Sequence, residues 1–401
     1  MLNKKNIREL AYVAEVTEIK PIEGSDNCEC ASIGGWNVMV KKNEYNVGDK
    51  CVYFEIDSLV DTNDERFAFM SRYHGKVKTQ KFTFGGKGLF YSQGLIMKLS
   101  EVGLNDADYK VGDFLTETLN VKYYDQESQS RKGSESRTYK SSFNKIKKNK
   151  IIKKMMRYKW FRELMFAIFG QKKKKRDFPN FVVVSDEERA NNLPPSVFAD
   201  KETTYNVTEK VDGSSTTVAI QRLNGTSKTK SFICSRKVCV WDSKTNKVKK
   251  GGYYAGTIES NPYVDMAEKY HLVEFLEKYM KKHKEVQWAY IQGETYGQKI
   301  QKRDYGLKGR DFRAFTFVDS CHGRYTYTET RDILGADNIP VVPILETGWV
   351  IKDNADEVVA LAQGKSEIDG GAREGLVFRS EQNPQFSFKA VDPEFLIKYH
   401  G

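Results

Sequence analysis

Along the first third of the chain, apolar residues recur at every second position in short runs, the spacing of half-buried strands. In LAYVAEVTEIKPI the alternation covers residues 12–19. WNVMVKKN (36–43) follows, and residues 50–56 of YNVGDKCVYFEIDSLV make a stronger run. Gly-Asp pairs at 48–49 and 112–113 supply turns. Short strands joined by Gly-containing turns predict a small barrel. The pattern changes after residue 178. Strands are predicted at 205–211, 216–221, 232–235, 288–294, 313–319, 375–379 and 385–389. Between them, DMAEKYHLVEFLEKYMKKH (265–283) has the spacing of one amphipathic helix, and NADEVVALAQ (354–363) of another. A short helix is also predicted from 185 to 189, with Ser185 as N-cap and Glu188 completing a capping box. The fold class is α+β, with largely antiparallel strands.

Composition changes this picture in one place. Net charge is +11, yet residues 145–176 alone hold eleven lysines and three arginines against the single acid Glu163, so the rest of the chain is slightly acidic. A concentrated basic segment is the footprint of a polyanionic partner. Its middle has helical apolar spacing. Three readings stay open for it: a helix touching nucleic acid, a solvated linker helix, or a helix on an acidic membrane surface through Trp160, Phe161, Phe166 and Phe169. Residues 126–142, QESQSRKGSESRTYKSS, are polar and read as loop. Boundaries follow: a barrel domain over 1–120, a basic connector over 121–177, and an α+β domain over 178–401. No apolar run approaches the roughly 18 residues a membrane span needs, and MLNKKNIREL is not a secretory signal. Six cysteines, at 28, 30, 51, 234, 239 and 321, complete no zinc pattern and read as free thiols. The expectation is an intracellular, cytoplasmic protein, monomeric and without a membrane partner.

Candidate chemistry centres on Lys210. It ends a predicted strand one residue before the Asp212-Gly213 turn, where a buried strand would want no charge. A nucleophilic lysine needs a neutral amine and a fixed position, and a strand end beside a tight turn supplies the second. Further stretches downstream each suit one task of a nucleotide site. CSRKV (234–238) presents cations for phosphate. YIQGETYG (290–297) is expected to end a strand with Gly293-Glu294, and Glu294 can accept ribose hydroxyls. FRAFTF (312–317) presents Phe315 and Phe317 for stacking on a purine. REGLVFR (373–379) is expected to open a strand with Glu374, a candidate metal or metal-water ligand. FSFKAV (386–391) carries Lys389, suited to neutralising phosphate.

Taken in order, KVDG, SRK, GETYG, the aromatic strand, EGLVF and SFK resemble the motifs of the covalent nucleotidyltransferase superfamily: RNA ligases, DNA ligases and mRNA capping enzymes. The resemblance implies an adenylyltransferase domain, ATP-grasp-like, with antiparallel sheets and flanking helices. The N-terminal strands and turns resemble an oligonucleotide/oligosaccharide-binding (OB) fold. An OB domain ahead of the transferase domain, none expected after Lys389, and a lead-in DEERANNLP (186–194) similar to that of RNA ligases together resemble an ATP-dependent RNA ligase. DNA ligase, capping guanylyltransferase and a non-catalytic RNA-binding protein are the alternatives.

The resemblance implies roles. Lys210 is the residue adenylylated by ATP; AMP then passes to an RNA 5′-phosphate, and a 3′-hydroxyl displaces it, as in repair at nicks. Glu209 lies beside adenine, with a salt bridge as its ordinary reading. Asp212 and Gly213 shape the loop, Asp212 near the metal. Arg236 meets the AMP or RNA phosphate, or else makes a structural ion pair. Glu294 binds ribose. Phe315 stacks on adenine, with Phe317 facing the same way as its competitor and core packing possible for both. Glu374 orders Mg²⁺ or Mn²⁺, and Lys389 pairs with the α-phosphate. The resemblance is broken at Ser387, where many relatives carry a lysine.

Overall fold

The computed structural model describes residues 1–2, 8–84, 86–124, 178–223, 226–243 and 261–400, with the single positions 155 and 165. The chain divides into one unit of Met1–Tyr123 with Phe178–Gly401 and a second of Tyr124–Asp177. The polar loop and basic connector expected between 121 and 177 fall almost wholly outside the described residues. No described helix is long and apolar enough to cross a membrane.

The first ten strands are β1 (Ala11–Glu15), β2 (Glu18–Pro21), β3 (Cys28–Ile33), β4 (Trp36–Lys41), β5 (Lys50–Phe54), β6 (Ser58–Leu59), β7 (Thr79–Phe84), β8 (Lys87–Gln93), β9 (Leu95–Met97) and β10 (Lys122–Tyr123). They pair as β1-β5-β9, β2-β3-β4, β7-β8 and β10-β6. β1 serves two cores at once. Ala11 and Val13 point to Phe54 and Phe67, while Tyr12 and Ala14 point to Trp36 and Tyr53. The single strand expected over 12–19 is two strands. Val16 N–H turns to the Asp49 carbonyl and Thr17 N–H to the Ser32 carbonyl, so the chain changes sheets there. Both Gly-Asp turns need glycine: Gly48 and Gly112 have φ of 93° and 96°.

The C-terminal part is two sheets with few helices. Its strands are β11 (Glu188–Arg189), β12 (Thr204–Lys210), β13 (Ser214–Arg222), β14 (Thr229–Ser235), β15 (Cys239–Asp242), β16 (Trp288–Gly297), β17 (Arg310–Asp319), β18 (Gly323–Arg324), β19 (Ile344–Val350), β20 (Gly375–Ser380) and β21 (Ser387–Val391). One sheet runs β11-β21-β20-β12-β19 and the other β15-β14-β13-β16-β17-β18. Helices α1 (Pro195–Ala199), α2 (Pro262–Lys269), α3 (Leu272–Lys282), α4 (Tyr327–Gly335) and α5 (Ala355–Ala360) flank them. Phe275 and Leu276 of α3 pack on Ile220, Ile291 and Phe317 of the second sheet.

Two helix expectations are corrected. The stretch 265–283 is two helices. Asn261 caps the first through the Tyr263 and Val264 N–H groups, and His271, at φ 51°, breaks the run before Leu272. The helix expected at 185–189 is an extended segment. Glu188 and Arg189 pair in parallel with Phe388 and Lys389, and Ser185 Oγ bonds Ser215 Oγ at 2.9 Å instead of capping. Sheet pairing and side-chain bonds outweigh the local capping signal here.

Candidate active site

Lys210 is the last residue of β12, and its partner across the sheet is Gly375, the first of β20. The next three residues carry the chain out of the first sheet and into β13 of the second. Lys210 therefore stands where the two sheets meet. Glycine is required on both sides of it. A Cβ on Gly375 would lie 2.1 Å from the Ala390 carbonyl oxygen, and one on Gly213 2.4 Å from that of Thr295. These approaches bring Glu374 and Glu294 close to the lysine.

Lys210 Nζ lies 2.7 Å from Glu374 Oε1. Burial pulls the amine's pKa down, but Glu374 and Glu294 more than offset this and raise it above the ordinary lysine value. Where the sequence reading asks for a neutral amine, Glu374 and Glu294 hold Lys210 as an ion-paired ammonium. Burial pushes the Glu294 carboxyl up to about 8, with Glu374 and Asp212 adding to it and Lys210 and Arg236 opposing.

Asp212 is held by its backbone, its N–H donating to Tyr305 Oη at 2.7 Å. Its Oδ1 lies 3.2 Å from His400 Nε2, and its Oδ2 is buried with no hydrogen-bond partner among the described residues. Glu374 Oε2 is likewise buried and unpartnered. Two neighbouring buried carboxylates, each with an unsatisfied oxygen, are costly unless something positive joins them. This donor set fits a divalent cation of the hard type, as expected for Glu374.

Glu209, expected beside adenine or in a salt bridge, faces away from Lys210. Adjacent strand residues point to opposite faces. Glu209 accepts from Ser366 Oγ at 2.5 Å and the Glu367 N–H at 2.8 Å, so both oxygens are engaged in holding the loop over 366–371.

Arg236 and Lys389 do converge, on a carboxylate. Arg236 Nη2 lies 2.6 Å from Asp186 Oδ2, and Lys389 Nζ 2.7 Å from Asp186 Oδ1. Arg8, from the N-terminal strands' side, adds a third cation 3.4 Å from the same Oδ1. Burial would raise the Asp186 carboxyl, but these cations hold it well below the usual carboxylate range. Burial pushes Lys389 down to about 8 in spite of Asp186. Asp186 opens the lead-in DEERANNLP, where nothing in the local pattern marks it as the meeting point of these cations. Beside Ser387, Arg324 Nη1 approaches the hydroxyl at 3.4 Å, so a cation does stand next to the position that lacks a lysine.

The two aromatic candidates are separated by a β-bulge. Gln292 pairs with Thr316 and Gly293 with Ala314, leaving Phe315 as the extra residue. Phe317 is fully buried in the helix-side core against Phe275 and Tyr279. The expectation that it faces the same way as Phe315 is corrected. Phe315 is half-buried near Val211, Tyr296 and Tyr305, with the Arg379 guanidinium 5.6 Å from its ring centre.

Comparison with known proteins matches both parts. Residues 10–97 match an OB-fold domain model and residues 203–399 match the RNA ligase family model. No curated protein sequence matches the chain. Solved structures of Naegleria gruberi RNA ligase are similar throughout. A mutant with AMP and Mn, a mutant with ATP and Mn, and the enzyme with PPi each give a TM-score of 0.71 at 25% identity, over 98% of this chain and 99% of that one. Residues 203–399 thus match the RNA ligase family behind an OB-fold domain over 10–97, the order the strands also show, and the whole chain is similar to Naegleria gruberi RNA ligase.

Proposed function

We propose that this ATP-dependent RNA ligase joins an RNA 3′-hydroxyl to a 5′-phosphate in three phosphoryl transfers centred on Lys210. Lys210 Nζ, once deprotonated, attacks the α-phosphorus of ATP; a phosphoramide bond forms and pyrophosphate leaves. An oxygen of the RNA 5′-phosphate then takes the AMP, and Lys210 leaves. The 3′-hydroxyl finally attacks the activated 5′-phosphate, and AMP departs. Nicks in duplex RNA are the proposed setting. The observation that carries this reading is the convergence on one lysine of Glu374, Glu294 and Asp212, with Arg236 and Lys389 gathered nearby on Asp186.

In this proposal Glu294 accepts the ribose hydroxyls and Phe315 stacks on adenine. Arg236 and Lys389 leave Asp186 for phosphate, aided by Arg324 beside Ser387. Gly213 keeps the loop close to β16. Glu209 acts through the 366–371 loop that it holds. Glu374 and Asp212 would hold Mg²⁺ or Mn²⁺, and a bound divalent cation supplies positive charge that offsets both the phosphates and the carboxylates around Lys210. The OB-fold domain and the basic segment 145–176 are proposed to hold the RNA through phosphate contacts. A cytoplasmic setting is supported by the six free cysteines.

The reading is tested with 5′-labelled nicked duplexes in which ribose and deoxyribose are exchanged on each side of the break. Sealing is expected where the 3′-hydroxyl end is RNA. Sealing confined to nicks with a DNA 3′-hydroxyl end would overturn it.

A further inference from the structure

We infer that His400 is a third ligand of the cation site beside Lys210, and that its imidazole makes this site select Mn²⁺ and similar borderline ions over Mg²⁺. The inference rests on the proposed cation-dependent ligase site and adds a residue that sets its metal preference. Asp212, Glu374 and His400 each bring one ligand atom, all within 4.8 Å of one another. Two of these residues carry buried oxygens with no partner among the described residues, Asp212 Oδ2 and Glu374 Oε2, in side chains only 3% and 7% exposed. Lys210 occupies the other Glu374 oxygen, so nucleophile and ion can share this carboxylate without competing for one atom.

The histidine is held in place from both sides. It ends the helical turn Leu396–His400, and its ring lies 6.0 Å from that of Phe395. Its carbonyl oxygen accepts from Lys76 Nζ of the OB-fold domain. Six residues earlier, Glu394 takes Lys81 and Tyr91 of the β7–β8 hairpin. A ligand fixed in this way loses little freedom on binding.

The nitrogen decides the selectivity. Carboxylates alone suit Mg²⁺, Ca²⁺ and Mn²⁺, whereas imidazole favours the later, softer ions. Mg²⁺ keeps most of its water and gains little from a histidine. A site of two carboxylates and one imidazole therefore favours Mn²⁺, Co²⁺ and Zn²⁺.

The test uses the full chain without nucleotide or RNA. Mn²⁺ is titrated and its free signal followed by electron paramagnetic resonance; Mg²⁺ is measured by competition; Co²⁺ is read by its visible absorption. In His400→Phe and in His400→Gln, Mn²⁺ affinity should fall by about tenfold or more, as for loss of a positioned group at a metal site. Mg²⁺ affinity should change by less than about threefold, and the Co²⁺ band should lose its nitrogen-ligand signature. Thermal unfolding without metal checks that both variants are folded. Unchanged Mn²⁺ affinity in both variants, or an equal loss for Mn²⁺ and Mg²⁺, would overturn the inference. The two readings fail separately. Mn²⁺ binding through His400 with no adenylate formed on Lys210 would defeat the ligase mechanism alone. Adenylate formation with metal binding indifferent to His400 would defeat this inference alone.

Discussion

Glu294 illustrates what it costs to gather carboxylates around one lysine. Its folded pKa, pushed up to about 8 by burial, lies above its ordinary 4.5. A group raised in this way lends stability below its unfolded pKa and loses it as pH rises through the folded value. Glu294→Gln should therefore leave stability almost unchanged near pH 4.5. The gain should grow as pH rises through about 8 and level off by about pH 9 at roughly 4–5 kcal/mol, about 1.4 kcal/mol for each pH unit between the two values. Urea unfolding at several pH values reads this directly, and a gain independent of pH would contradict it. The bulge at Phe315 makes a second contrast. Phe315→Ala should raise the ATP requirement for adenylylation by roughly tenfold or more, the worth of about 1–3 kcal/mol of base stacking. Phe317→Ala should instead cost about 3–5 kcal/mol of stability by emptying the core. Much of this grouping was legible in the sequence, because Lys210, Asp212 and Glu374 stand at or near a strand end and Glu294 follows Gly293, although β16 runs on to Gly297 past the end expected at Glu294. Phe315 and Phe317 were not separable, since alternation assumes no bulge. His400 was hidden because 188 positions separate it from Asp212, its nearest charged neighbour.

At the scale of elements, strands were easier to read than their neighbours. β12, β13, β16, β17 and β20 are long and buried, so β-branched and aromatic residues mark them. The two-residue β11 carries no such signal. It exists because β21 offers an edge, and the local Ser185–Glu188 pattern looked like a helix cap instead. The break between α2 and α3 was masked for the same reason: apolar spacing continues across Tyr270 and His271 while the backbone turns left-handed. The junction of β12 with β20 and β21 is where element packing sets the chemistry. A methyl group at Gly375 would press on the Ala390 carbonyl and push β20 from β21. Gly375→Ala should cost about 1–3 kcal/mol of stability. It should also cut adduct formation sharply, because Glu374 and Lys389 ride on those strands. Unaltered adenylylation in a destabilised Gly375→Ala protein would show that the strand spacing does not matter to the site.

Across the whole described unit, the lead-in DEERANNLP joins the OB-fold domain to the ligase domain. Trp36 Nε1 donates to Asn192 Oδ1 at 2.6 Å, and Asn192 Nδ2 donates to Glu55 Oε1 and Glu188 Oε1, both at 2.8 Å. Asn191 exchanges backbone and side-chain bonds with Gly35. Domain order was visible in the sequence, since strand patterns and motifs have fixed places along it. This interface was not, because its residues are ordinary asparagines whose partners lie far away. Asn192→Ala leaves the Trp36 N–H and a buried carboxylate short of partners and should cost about 1–3 kcal/mol. Sealing of nicked RNA should fall more than adduct formation, and an equal fall in both would count against a role for the OB-fold domain in holding RNA. The central claim is that Lys210 carries the AMP. Intact-protein mass spectrometry after incubation with ATP and Mn²⁺, followed by peptide mapping, tests it most directly. The expected result is a mass increase of one AMP on the peptide containing Lys210, absent in Lys210→Ala. An adduct on another residue, or one that persists in Lys210→Ala, would contradict it.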